Sequence, residues 1–261
     1  MTTSTQTETL VTLDIEDSIA TITLTRPAKR NALSLRVVEQ LRAAFESLPD
    51  TVRVAILAGE GPHFCAGLDL SELTEMDVGA GVQHSFKWYE AFSKIQFGRV
   101  PVVCVMQGAV VGGGLELASA AHVRVAEENA YFGLPEGQRG IFLGGGGSVR
   151  ITKLIGFSRV TEMMLTGHVL DANEGKAINL AHYVTPSGQG MQKARELAAR
   201  IATNAPLSNF AIMNALPLIA EQPMSHGLLT EALMASISQS APEAKERVNA
   251  FLEKRAGKVS L

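Results

Sequence analysis

The chain alternates short apolar runs with glycine- or proline-bearing breaks, the pattern of strands feeding helices through tight turns. Leu10 to Asp14 and Ile19 to Leu24 are two β-type runs around Glu16-Asp17-Ser18 and predict a hairpin. Arg26-Pro-Ala-Lys-Arg-Asn31 breaks that pattern. Ser34 then predicts the cap of a helix to about Leu48, with Leu35, Val38, Leu41, Phe45 and Leu48 on one face. Val52 to Ala58 predicts a buried strand, Gly59 to Gly67 an irregular loop, and Leu68-Asp-Leu-Ser-Glu-Leu a short helix.

The same alternation continues. Residues 82 to 97 hold Phe86, Trp88, Tyr89, Phe92 and Phe97 at helical spacing, which suits either core packing or an aromatic pocket. Val100 to Met106 is β-branched and apolar, the composition of a strand buried on both faces. Gly112 to Gly114 follow, then Leu115 to Ala121 as a short helix. His122 to Ala126 and Ala130 to Gly133 predict further strands, and Gly144 to Gly147 lead into a helix from about Ser148 to Ile155. After about Asn204 the pattern is helical only, punctuated by Pro206, Pro217 and Pro223. The division expected is an α/β core at 10–203 with parallel strands and a helical subdomain at 204–261.

Composition narrows the function classes. The chain has 261 residues, 46% of them hydrophobic, enough for a full core. A net charge of -3 argues against a nucleic-acid or membrane surface. Cys65 and Cys104, both in apolar segments, fit a reducing compartment, so a cytoplasmic location is expected. No apolar run reaches membrane-spanning length, and the polar start, Met1 to Thr9, lacks a signal core. Six histidines show no metal-ligand spacing and no nucleophile elbow surrounds a serine, which argues against metal and hydrolase chemistry.

The chemistry points to the central stretch, Gly108 to Ala118. Glycines at a strand-to-helix turn let a ligand approach the backbone, and the helix start presents unpaired N–H groups. Those donors suit an oxygen that becomes negative during a reaction. Glu116 lies beside that spot; the alternative is a packing turn with a solvated glutamate. Gly112 to Gly114 do not complete G-x-G-x-x-G, which argues against a dinucleotide fold. Gly144 to Gly147 suit a phosphate cradle or a packed helix start, and no Lys-Ser/Thr follows as in a P-loop.

Ala58-Gly-Glu-Gly-Pro-His-Phe-Cys-Ala-Gly-Leu-Asp-Leu70, Gly112-Gly-Gly-Leu-Glu-Leu-Ala118 and Phe132-Gly-Leu-Pro-Glu136 together resemble the crotonase (enoyl-CoA hydratase/isomerase) superfamily. Arg26 to Leu33 and Leu165-Thr-Gly167 are similar to two further signatures, and the likeness spans about residues 10 to 258. The resemblance implies a crotonase-like spiral of ββα units with a C-terminal helical subdomain, assembled as a homotrimer or dimer of trimers. It implies an acyl-CoA substrate, with coenzyme A part of that substrate and no separate cofactor. It assigns the N–H groups of Ala66 and Gly113 to an oxyanion hole, and Lys29, Arg30, Leu33, Leu68 and Lys254 to the CoA arm. For Lys29 and Arg30 a solvated loop is the alternative. Glu116 and Glu136 match the two glutamates of the hydratases, with a surface loop position the alternative for Glu136. Enoyl-CoA hydration is the expected activity; a hydroxycinnamoyl-CoA hydratase-lyase, an enoyl-CoA isomerase or a non-catalytic CoA-binding protein would use the same features. Departures fall at Ala121-His122, at Arg139 and at Ser240 to Glu246, and they leave the acyl group open.

Overall fold

The computed structural model describes residues 8–72, 77–253 and 255. The chain enters through an antiparallel hairpin, β1 (Val11–Glu16) and β2 (Ile19–Leu24), in which Glu16 pairs with Ile19. Only Asp17 and Ser18 turn the corner, with Asp17 at φ 54°, a conformation aspartate tolerates in two-residue hairpin loops. Helix α1 (Leu35–Glu46) starts where Ser34 accepts the Val37 N–H at 3.3 Å. Then come β3 (Val54–Gly59), α2 (Val78–Gln96), β4 (Val102–Met106), β5 (Ala109–Val111), α3 (Gly113–Ser119), β6 (Val123–Glu127) and β7 (Tyr131–Gly133). Helices α4 (Gly147–Ile155) and α5 (Phe157–Thr166), β8 (Val169–Asp171), α6 (Ala172–Ala177), β9 (Tyr183–Thr185) and α7 (Gly190–Ala202) complete the first of two compact units.

The main sheet runs β1-β2-β3-β4-β6-β9, parallel from β2 onward. Its central strands alternate between two cores. Ala55 and Leu57 of β3, with Val102, Cys104 and Met106 of β4, face one apolar layer. Val54, Ile56, Val103 and Val105 face the other, where Ala194, Leu197 and Ala198 of α7 cover them. Burial on both faces is why these strands read as continuous apolar runs. A second sheet, β5-β7-β8, stands apart. The chain passes from β4 into β5 at Gly108, whose φ is 53° and where a Cβ would lie 2.2 Å from the Pro62 carbonyl oxygen, so only glycine fits. Strand, strand, helix recurs as β4-β5-α3 and β6-β7-α4.

The expected helix at Leu68 is different in the structure. Leu68 pairs with Leu33 in an isolated bridge, and only Leu70–Glu72 form a 3-10 turn. Strands β5, β8 and β9, each three residues long, were not read from the sequence, whereas β7, equally short, was.

The second unit, from Thr203, consists of helices among the described residues: α8 (Pro206–Phe210), α9 (Leu216–Ile219), α10 (Met224–Ser240) and α11 (Pro242–Leu252). Leu228, Leu229, Leu233 and Ile237 of α10 are exposed. No helix among the described residues is long and apolar enough to cross a membrane.

Candidate active site

The parallel pairing of β5 with β7 sets the site. Val111 and Gly133 are register partners, so the chain leaves the two strands at one end, toward Glu116 in α3 and Glu136 after Pro135. Both glutamates are buried, at 3% and 5% exposure, which removes the solvated alternatives. They line one cavity of about 170 Å³ with Ala66, Leu68, Trp88 and Gly113.

The two carboxyl groups differ in their surroundings. Glu116 Oε1 accepts N–H groups from Gly145 and Gly147, each at 2.8 Å. The glycine run is therefore an anion cradle whose anion is the chain's own carboxylate, not a phosphate. A Cβ at Gly147 would lie 2.5 Å from Glu116 Cγ, and one at Gly145 would lie 2.9 Å from the Trp88 ring. Burial raises the Glu116 carboxyl, and those N–H groups and Arg150 oppose the rise. Glu136 Oε2 is buried without a hydrogen-bond partner among the described residues. Burial pushes the Glu136 carboxyl up to about 7; the nearby Glu116 adds to this, while its own backbone N–H and Arg139 oppose it. A carboxyl with this environment is available as a proton donor near neutral pH.

Residues 64 to 69 lie as a ribbon between β5 and the turn before α1. The Cys65 N–H donates to Ala109 O at 2.9 Å, Leu33 N–H to Gly67 O at 2.8 Å, and Asp69 N–H to Leu33 O at 2.9 Å. Within this ribbon the Ala66 N–H donates to Arg30 O at 2.9 Å. That donor, expected in the oxyanion hole, is engaged by the fold. The Leu68 N–H and the Gly113 N–H donate to no described group. They lie close together: a Cβ on Gly113 would be 3.3 Å from Leu68 N. The residue two positions beyond Ala66 therefore supplies the available donor.

The other expected residues separate. Leu33 is fully buried in the core, so its side chain lines no ligand arm; its role is the bridge to Leu68. Lys29 and Arg30 are exposed at the end of the 3-10 turn Pro27–Lys29 and lie outside the cavity wall. Lys254 lies outside the described residues. Trp88 serves both readings of the aromatic helix, since it is buried against Phe92 and also forms cavity wall. Arg139 is exposed at the cavity. Among the described residues no cluster of three or more His, Cys, Asp or Glu is placed to hold a metal ion.

A family model described as enoyl-CoA hydratase/isomerase matches residues 14–259. The 2,3-dehydroadipyl-CoA hydratase of Escherichia coli (strain K12) is 32% identical over 244 residues, covering 92% of this chain and 94% of the relative. The short-chain-enoyl-CoA hydratase of Clostridium acetobutylicum is 29% identical, covering 94% and 95%. A solved structure from Rhodopseudomonas palustris CGA009 is 51% identical, with a TM-score of 0.92 over 96% of this chain and 97% of that one. The enoyl-CoA hydratase structure from Bacillus anthracis, 30% identical, superposes with a TM-score of 0.88 over 94% and 97%. The architecture of paired strands followed by a helix is thus the crotonase fold, and the chain belongs to the enoyl-CoA hydratase/isomerase family.

Proposed function

We propose that the protein is an enoyl-CoA hydratase. The observation that carries this reading is the pair of buried glutamates on one cavity, one held by two N–H groups and the other without a partner at Oε2 among the described residues. The thioester carbonyl oxygen takes the Leu68 and Gly113 N–H groups. They draw charge from the conjugated double bond and make the β-carbon electrophilic. Glu116 accepts a proton from water as the oxygen adds to that carbon, and the π electrons move to the thioester oxygen. The enolate then collapses, and its α-carbon takes a proton from Glu136. The exposed cations Lys29 and Arg30 stand next to the ribbon in the chain path, the Arg30 carbonyl accepting the Ala66 N–H, and in this reading they meet the CoA phosphates.

Incubation with crotonyl-CoA, 2,3-dehydroadipyl-CoA and an aromatic enoyl-CoA in ¹⁸O-water tests this. The expected result is a 3-hydroxyacyl-CoA carrying one ¹⁸O. Release of an aldehyde would show a hydratase-lyase instead, and a shifted double bond without ¹⁸O an isomerase. No change in any thioester would leave only CoA binding.

We infer in addition a homotrimer or dimer of trimers. Support comes from the exposed Leu228, Leu229, Leu233 and Ile237 of α10, an apolar face that a self-associating chain covers. Light scattering is expected to give a multiple of three chain masses; a monomer mass at working concentration would overturn it.

A further inference from the structure

We propose that Arg150 is a positioning residue for Glu116: its guanidinium clamps the middle peptide of the glycine loop whose flanking N–H groups hold the Glu116 carboxylate. The proposal rests on the reading of Glu116 as the base.

The loop from Gly144 to Gly147 must be glycine where it meets Glu116 and Trp88, since side chains at 145 and 147 would collide with them. Glycine leaves the backbone free to move, and Gly146 sits at φ 90°. A loop of this kind aims two N–H groups at a carboxylate only when something outside it fixes the peptides. Arg150, one turn into α4, does so. Its Nη1 donates to Gly145 O at 2.9 Å. That carbonyl belongs to the peptide between the two that donate to Glu116 Oε1. Its Nε donates to Gln96 Oε1 at 2.6 Å, which ties the guanidinium to the last residue of α2. Gln96 is itself fixed. The Val102 N–H donates to His122 Nδ1 at 3.0 Å, so Nε2 carries the proton and donates to Gln96 O at 3.0 Å. The unusual His122 of the sequence thereby has a structural use, as a bracket between β4 and α2.

The charge points the same way. Arg150 is half-buried and forms no ion pair among the described residues. The carboxylate that feels it is Glu116, whose rise it opposes. The other charged and titratable groups around the site are Glu136, after β7, whose carboxyl Glu116 raises, and Arg139, which opposes that rise. From α2, Tyr89 acts on Arg150 and His84 lines the cavity.

Arg150→Met and Arg150→Lys test the clamp. Two readouts are compared: the ¹³C titration of the Glu116 carboxyl in the free protein, assigned with Glu116→Gln, and the pH profile of hydration. In the Met variant the Glu116 titration is expected to move up by about one pH unit. The acid limb of the rate profile follows it upward, because the base must be ionised, and kcat falls about tenfold with KM little changed. The Lys variant recovers part of both shifts. An unmoved Glu116 titration in a folded Arg150→Met protein would overturn the proposal. Should that variant fail to fold, Gln96→Leu leaves the charge but frees the guanidinium. It is expected to lower kcat, and an unchanged kcat would overturn the clamp. If the unaltered protein hydrates no enoyl-CoA, the function reading fails while the carboxyl titration still decides whether Arg150 holds Glu116.

Discussion

Glu116→Gln and Glu136→Gln are each expected to lower kcat for hydration by about 10²–10⁴ with little change in CoA affinity. Glutamine keeps the size of the side chain but can neither accept the proton of water nor release one to carbon. The two variants should differ in pH dependence. Glu136 must be protonated to act as the acid, and its carboxyl stands at about 7, so wild-type kcat falls as pH rises through that region. Glu136→Gln removes that descending limb and leaves the ascending one. Glu116→Gln removes the ascending limb, where the base ionises. The groups interact, so the two limbs report macroscopic values of the pair. The double variant should lose much less than the product of the single losses, because both groups act on one addition. Full hydration by Glu136→Gln alongside a dead Glu116→Gln would sink the two-carboxylate reading and favour a one-base isomerase.

Loss of the Gly113 N–H is expected to lower kcat by about 10²–10³, the magnitude found for a single oxyanion donor. Gly113→Pro removes that hydrogen at the first position of α3, where a helix tolerates proline. A Cβ there would lie 3.0 Å from the Trp88 ring, so the variant is compared in a Trp88→Leu background with Gly113→Ala, which crowds the ring equally but keeps the donor. The carbonyl stretch of a bound thioester supplies a second readout. It should be lowered in the unaltered protein and return toward its free value in Gly113→Pro. Near-normal turnover in a folded Gly113→Pro protein would exclude this N–H from the oxyanion hole.

Much of the fold was legible because its elements carry strong local signals. Val54 to Gly59 and Val102 to Met106 are apolar at every position, since both sheet faces are covered. Ser34 marks a helix start by chemistry that acts within three residues. The motifs around Gly112 to Glu116 and Leu134 to Glu136 carried both glutamates into view. Of the three-residue strands β7 was legible as Ala130 to Gly133, while β5, β8 and β9 stayed hidden, being defined by partners far along the chain and not by a repeat of their own.

The sequence by itself determined which residues can do this chemistry: two glutamates, glycine turns that bare the backbone, and apolar strands to hold them. Tertiary structure decided how they are used. Whether a backbone N–H is free depends on which carbonyl lies opposite, and the Arg30 carbonyl takes Ala66 and leaves Leu68. Whether Glu116 is held or loose depends on a glycine run about thirty residues downstream. Whether Glu136 keeps its proton at neutral pH depends on burial and on a second carboxylate nearby. Hydrogen bonds, desolvation and charge act over a few ångströms of space, and the chain brings groups to that range only by folding.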